Sequence, residues 1–519
     1  MERGDNHAGP QRVDAAIIGS GFSGLCMAIQ LKKAGFERVV ILEKAHEVGG
    51  TWRENTYPGA ACDVQSHLYS LSFAPNPSWS RVYSGWQEIQ RYLVNVSHEY
   101  GLRQHIRFGA QVVAADYDES AQCWDIRLAG GESIVAKTLI IGTGPLHVPQ
   151  LPNIKGLDRF AGPVFHSAQW RHDVELNGKR VASIGTGGSA IQYVPEVAKK
   201  AAHLTVFQRS AAWVLPRNER AYTGFEKACF KYMPGWRRLY RSWLYWLNES
   251  RILPFRHPFF IRSFQWLALW NLRRSVKDRT LRKKLTPDYT IGCKRILISN
   301  QYYAAFNRPN VHLETDGIVE VREHGVVTRD ATGVEQEHEV DALILGTGFV
   351  TDPLKYMKDM PIRGVGGQKL LEAWSENAEA YLGMTVTGFP NLFMMVGPNT
   401  GLGHNSVIFM IEAQAKYIVK TLSVLRGRNG GELDGAVEVK AETQRAFNEQ
   451  VQKDLQGTVW QTGCHSWYLQ ENGNNFTVWP GSTASYFLKT LSVNQQDYNW
   501  SDATANVTVK DAQGNGLNI

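Results

Sequence analysis

Two stretches of this chain carry the same constraint on the backbone. Residues 13–44, VDAAIIGSGFSGLCMAIQLKKAGFERVVILEK, pass from an apolar run through Gly19-x-Gly21-x-x-Gly24 into a helical pattern, then into a second apolar run that ends at Glu43. An uninterrupted apolar run is the mark of a parallel strand buried on both faces, and Leu25, Ala28 and Ile29 share one face of the helix that follows. This is a βαβ unit. The first glycine makes a tight turn, the second lets backbone approach a pyrophosphate, and the third lets helix pack on strand. A diphosphate then rests on the helix N-terminus, where unpaired N–H groups and the dipole favour negative charge. Residues 179–210, KRVASIGTGGSAIQYVPEVAKKAAHLTVFQRS, repeat the design around Gly185-x-Gly187-x-x-Ala190.

The ends of the two units differ in charge. Glu43 stands 24 residues after Gly19, and Arg209, followed by Ser210, stands 24 residues after Gly185. A carboxylate accepts hydrogen bonds from ribose hydroxyls and repels a 2′-phosphate; a guanidinium does the reverse. The first unit is therefore expected to hold FAD through Gly19, Gly21, Phe22, Ser23, Gly24 and Glu43. The second is expected to hold NADPH through Gly185, Thr186, Gly187, Gly188, Ser189, Arg209 and Ser210. Two such pockets in one chain point to hydride transfer between two cofactors.

Two further segments resemble each other: Thr138–Pro145 and Asp341–Phe349 are apolar strands that run into Gly-Thr-Gly. We place domain crossings there. The expected fold class is α/β, with two Rossmann-like dinucleotide-binding domains and a helical insertion in the NADPH domain. The FAD-binding domain comprises 1–145 and 347–519, the NADPH-binding domain 146–346, and the insertion about 222–287. The ends, roughly 1–12 and 503–519, are polar and expected to be loose.

Composition narrows the class. Hydrophobic residues make up 43% and charged residues 20%, too apolar for disorder. No apolar stretch approaches the ~20 residues that span a bilayer, and the polar N-terminus lacks a signal-like apolar region. The six cysteines lie tens of residues apart with no C-x-x-C spacing, which argues against disulfides, a zinc site and a redox dithiol. We expect a reduced, cytoplasmic protein without a metal. Between Lys231 and Lys284 fourteen Lys/Arg face only Glu249 and Asp278, so the rest of a chain with net charge +7 is acidic on balance. The same stretch holds Trp236, Trp243, Trp246, Trp266 and Trp270. The simplest expectation is a helical subdomain with buried aromatics and solvated arginines; weak peripheral membrane contact is the alternative, and nucleic acid is not expected.

The motifs together resemble the type I Baeyer–Villiger monooxygenases, over residues from about 13 to 490. Phe160-Ala-Gly162-Pro-Val-Phe-His166-Ser-Ala-Gln-Trp170 matches the family fingerprint F-x-G-x-x-x-H-x-x-x-W; the family usually continues with Pro or Asp, whereas this chain has Arg171. Gly49-Gly-Thr-Trp52 through Tyr57-Pro58-Gly59-Ala-Ala-Cys-Asp63 and Gly292-Cys-Lys294-Arg295 match further elements. The resemblance implies a ketone-oxygenating enzyme that uses NADPH and a flavin C4a-peroxide to give an ester or lactone from a small apolar ketone and O2. It makes Arg295 the cation that stabilises the reacting anion, a role arginine fits because it stays charged, with Asp63 holding it. Gly-Cys before Arg295 and Ile-Leu-Ile after it suggest a partly buried strand edge. His166, in the linker between the domains, is expected to control the hinge, and Trp170 to anchor packing. Gly50, Thr51, Trp52, Asp63 and Tyr69 join the flavin contacts, and Lys294 joins the 2′-phosphate site. In the segment 391–418, read as strand, glycine-rich loop and helix, Asn399, Gly401 and Asn405 either approach flavin or substrate or only shape the loop. The stretch 464–468 looks like part of a mobile lid.

Three other functions stay open on the residues. A flavin-containing N- or S-oxygenating monooxygenase shares the architecture, but typically carries an aromatic and Lys after the fingerprint histidine. A disulfide reductase needs paired cysteines. A non-catalytic nucleotide-binding flavoprotein would keep the glycine turns without turnover.

Overall fold

The computed structural model describes residues 10–464, 466–470, 472–502, 509–510 and 516–517. Of the expected loose ends, 1–12 and 503–519, residues 1–9 and most of 503–519 lie outside the described residues, whereas Gln11 and Arg12 already belong to the first strand, paired with Ile134 and Val135. In the first sheet, strand Gln11–Ile18 pairs in parallel with Val39–Glu43 on one side and Ser133–Ile141 on the other. Helix Phe22–Lys33 makes the crossover between the first two strands. Along Gln11–Ile18, Ala15 and Ile17 enter the core on the helix side while Ala16 and Ile18 enter the opposite core. Both faces are dry, so the strand reads as a continuous apolar run rather than an alternating one.

The second sheet has five parallel strands in the order Val311–Glu314, His203–Phe207, Arg180–Ile184, Ala342–Leu345, Val164–His166. Helix Ala190–Val197 crosses from Arg180–Ile184 to His203–Phe207. The chain later returns to the first sheet, where Leu392–Met394 pairs in parallel with Ser133–Ile141. The two Gly-Thr-Gly segments have matching places. A Cβ at Gly19 would lie 2.8 Å from the Gly142 carbonyl oxygen, and one at Gly185, whose φ is +111°, would lie 2.4 Å from that of Gly346. The molecule is thus an α/β protein with one Rossmann-like construction used twice.

The structure corrects three expectations. His166 is not in a linker: it closes strand Val164–His166 at the edge of the second sheet and is buried. The fingerprint reads as a connection because a three-residue strand leaves no periodicity to recognise. Cys293 and Cys464 form a disulfide, while Cys26, Cys62, Cys123 and Cys229 are free and buried. A pair 171 residues apart has no spacing signature.

The third correction concerns the basic aromatic stretch. It forms helices Gly224–Tyr232, Trp236–Glu249, Ile252–Arg256, Pro258–Ser275 and Arg279–Lys284, set between the paired strands Val214–Leu215 and Leu297–Ile298. Its aromatics are not all buried: the five tryptophans are 40–66% exposed. Composition alone does not say which helix face docks. Here Leu244, Asn248 and Glu249 turn inward, with Asn248 bonded to Gln65 and Glu249 to Asn405, and the tryptophans are left outside. No helix among the described residues is long and apolar enough to cross a membrane.

Candidate functional site

The first glycine turn is a cradle without room for side chains. A Cβ at Gly24 would stand 1.9 Å from the Gly19 carbonyl oxygen. Helix Phe22–Lys33 starts at Gly21 with no side-chain cap, which suits an external anion at its first N–H groups. Gly50 packs beside Gly21, with a Cβ at either position meeting the other's Cα within 4 Å. Thr51 and Trp52 open the short helix that follows. Trp52 Nε1 donates to the Tyr69 hydroxyl at 3.2 Å, and Phe22 meets the Tyr69 ring edge-on at 5.2 Å. Glu43 is buried at the end of its strand and accepts from the Ser20 N–H at 3.0 Å, the Ser20 hydroxyl at 2.6 Å and Arg53 Nη1 at 3.0 Å. Burial opposes its charge, but the Ser20 hydrogen bond and Arg53 outweigh burial and hold the carboxyl below its ordinary range. An ionised acid at the strand end, a side-chain-free turn and an uncapped helix fit the adenosine diphosphate of FAD.

Asp63 and Arg295 form an ion pair. Arg295 Nε donates to Asp63 Oδ2 at 3.1 Å, and Nη2 donates to the same oxygen. Burial works against the Asp63 charge, yet the attraction and hydrogen bond of Arg295 keep its pKa low; in turn Asp63 raises that of Arg295. The expected strand edge is corrected here: Arg295 lies in irregular chain two residues ahead of strand Leu297–Ile298, and its side chain is 41% exposed. The flanking apolar residues belong to the strand that begins after it. Tyr468 is close enough to raise the Arg295 pKa, so the segment tied down by Cys464 borders this pair.

The second turn repeats the first with opposite charge. Helix Ala190–Val197 starts at Ser189 without a side-chain cap, and a Cβ at Gly187 would meet nothing within 4 Å. Thr186 Oγ1 donates to the Ser210 carbonyl at 2.9 Å, which fixes the turn against the end of the unit. Arg209 is exposed. Lys294 is held below the usual lysine range, by partial burial first and by repulsion from Arg209 second. Two cations kept in mutual repulsion fit a doubly charged 2′-phosphate. Successive residues therefore look both ways: Lys294 toward Arg209 in the second unit, Arg295 toward Asp63 in the first.

The other expected residues are placed as follows. His166 Nδ1 accepts the Ala168 N–H at 3.1 Å, the Gly348 backbone lies beside the ring, and the ring meets Phe349 edge-on at 5.8 Å. Burial lowers its pKa, so it is neutral near pH 7. Trp170 packs between Phe165 and Tyr193. Asn399 spends its amide on the backbone, donating to Asn475 O at 2.6 Å and Val478 O at 3.2 Å. Gly401 pairs with the Thr477–Trp479 segment, and Asn405 donates to Glu249 Oε2 at 2.6 Å.

Sequence reasoning missed Gln192 and Arg217. Gln192 accepts the Tyr57 hydroxyl at 2.9 Å and donates to Ala61 O at 2.9 Å, clasping helix Ala190–Val197 to the segment that carries Asp63. Its signal was a lone amide in an apolar helix, AIQYVPEV. Arg217 lies over the Tyr83 ring at 4.5 Å and donates to Cys62 O at 3.1 Å. Nothing local in the sequence marks it.

Residues 12–228 match the family described as flavin-binding monooxygenase-like. A Baeyer–Villiger monooxygenase of Streptomyces coelicolor is 45% identical over 94% of this chain and 92% of its own. The structure of cyclohexanone monooxygenase from Rhodococcus sp. Phi1 bound to NADP+ superposes with a TM-score of 0.84 at 28% identity, covering 95% of this chain and 100% of that one. The structure of OTEMO in complex with FAD and NADP superposes with a TM-score of 0.83 at 27% identity, covering 95% of this chain and 100% of that one. The chain belongs to the flavin-binding monooxygenase-like family, among its Baeyer–Villiger monooxygenases.

Proposed function

We propose that the protein is an FAD-containing, NADPH-dependent Baeyer–Villiger monooxygenase that inserts one oxygen atom of O2 beside the carbonyl of a small apolar ketone, giving an ester or lactone. The observation that carries this reading is the Asp63–Arg295 ion pair, which joins the segment after the first glycine-turn unit to the residue that follows Lys294. Bound FAD supplies acceptance of hydride from NADPH and activation of O2.

The residues divide the remaining work. Residues 1–145 and 347–519 hold FAD through Gly19, Gly21, Phe22, Ser23, Gly24, Glu43, Gly50, Thr51, Trp52 and Tyr69, and residues 146–346 hold NADPH through Gly185–Ser189, Arg209, Ser210 and Lys294. Arg295 places a permanent positive charge where an oxyanion develops at the ketone carbonyl, and its donors stay protonated throughout. Asp63 accepts from two of those donors, fixing the guanidinium plane while leaving its remaining N–H groups for the reacting oxygen. Neutral His166, wedged under Phe349 with its Nδ1 engaged, sets the edge of the second sheet rather than moving a proton. Gln192 keeps the two units in register.

Arg295→Ala is expected to retain FAD, to be reduced by NADPH, and to lose ester formation by about 10²–10³-fold, the usual effect of removing one electrostatic stabiliser. Gas chromatography of ketone turnovers measures it. An Arg295→Ala enzyme that makes ester at the native rate excludes this role.

A further inference from the structure

We propose that the helical insertion docks the enzyme on an anionic lipid surface. On helix Trp236–Glu249 the exposed apolar residues are Trp236, Leu239, Trp243, Trp246 and Leu247. At 3.6 residues per turn these fall within about 100° of arc, the width of the apolar stripe by which an amphipathic helix normally packs on a core. Here that stripe faces solvent, and the opposite face, with Leu244, Asn248 and Glu249, packs inward. Tyr232 and Met233, just before the helix, extend the exposed apolar surface at its start. Helix Pro258–Ser275 does the same with Phe259, Trp266 and Trp270, spaced seven and four residues apart.

Charge selects the partner. Exposed cations stand beside these stripes: Lys231 just ahead of the first, and Arg262, Arg273 and Arg274 along the second, with Arg274 5.3 Å from the Trp270 ring centroid. Of the two acids of the stretch only Asp278, which is exposed, stands against them. Glu249 is turned inward, accepting from Asn405, Thr483 and the Ala484 N–H, and Asp278 caps the helix after it through the Leu281 N–H. A second copy of the same face would set like charges against each other. Stacked bases have no use for Leu239, Leu247 and Met233 between the rings, whereas a headgroup–acyl boundary accepts aliphatic and aromatic side chains alike, with arginines reaching back to phosphate. Held this way, the enzyme meets apolar ketones where they partition.

Flotation of the full-length, FAD-loaded protein with vesicles tests this. With phosphatidylcholine vesicles containing 30–40% phosphatidylglycerol (roughly the anionic fraction that gives a strong surface potential) the protein is expected to float. With pure phosphatidylcholine, or at high salt, flotation is expected to fall at least about tenfold, since each basic residue near an anionic surface strengthens attachment about fivefold. The variant Trp236→Ala/Trp243→Ala/Trp246→Ala, at exposed positions that belong to neither the ion pair nor the glycine turns, is expected to keep its flavin spectrum and NADPH oxidation and to lose flotation about tenfold. Arg262→Gln/Arg274→Gln is expected to lose the preference for anionic lipid. Absence of flotation with phosphatidylglycerol vesicles at low salt overturns the proposal. So does flotation that the tryptophan variant leaves intact, binding to an oligonucleotide but not to vesicles, or a concentration-dependent dimer that the tryptophan variant dissolves.

Discussion

At the scale of single residues, the two nucleotide units differ in the charge at the end of the second strand, and that difference is separable by mutation. Arg209→Ala removes one cation from beside Lys294, and the loss of a charge-assisted phosphate contact is worth about 1.5–3 kcal/mol. KM for NADPH is expected to rise about ten- to hundredfold while KM for NADH, which lacks the 2′-phosphate, changes little; steady-state kinetics with both cofactors decides it. A different residue contributes to the loss of stability in acid. His67 is enclosed by the Tyr222, Phe230 and Tyr240 rings, and burial, helped by Arg237 and Arg241, pushes its pKa from 6.5 down to about 3. Between those values the unfolded chain binds a proton that the folded one refuses, so stability falls as pH drops, by about 1.4 kcal/mol per pH unit for one proton. Above pH 6.5 the residue contributes no slope. His67→Phe is expected to flatten the fall in melting temperature between pH 7 and 4.5, and equal slopes for the two proteins would remove His67 as the cause.

At the scale of elements, the glycine turns leave the least freedom. Gly24→Ala puts a methyl 1.9 Å from the Gly19 carbonyl oxygen, so helix Phe22–Lys33 must shift off its strand. We expect protein that is colourless or insoluble, read by the flavin absorbance of the purified chain; a yellow, soluble Gly24→Ala protein means the turn tolerates the shift. These elements were also the most legible in the sequence, because one motif fixes strand, turn and helix together. The Thr138 and Asp341 segments were legible for the same reason, their strands ending in glycines that must lie close to the turns. The insertion was legible as helices, but its orientation was not. An apolar stripe reads the same whether it meets a core or solvent, and the inward hydrogen bonds of Glu249 come from residues 405, 483 and 484, far along the chain. His166 was misplaced because its strand is three residues long, and the Cys293–Cys464 bond joins segments that no local pattern relates.

Over the whole molecule, the site exists only because distant parts of the chain converge. Asp63 comes from the loop after the first βαβ unit, Arg295 and Lys294 from the exit of the insertion, and Tyr468 from the segment held by Cys464. The Tyr57–Gln192–Ala61 clasp ties the second unit to the segment that carries Asp63, so on the proposed function the NADPH side and the oxygen-transfer side are joined through one contact. That arrangement makes a single demand: electrons enter from NADPH and one oxygen atom leaves in the organic product. The most direct measurement is turnover of a ketone panel by the purified holoenzyme under 18O2, with NADPH consumption and product mass followed together. The account predicts NADPH-dependent conversion of an apolar ketone to an ester or lactone that carries one 18O atom. NADPH oxidation that yields only hydrogen peroxide across the panel, or an ester whose added oxygen comes from water, would contradict it.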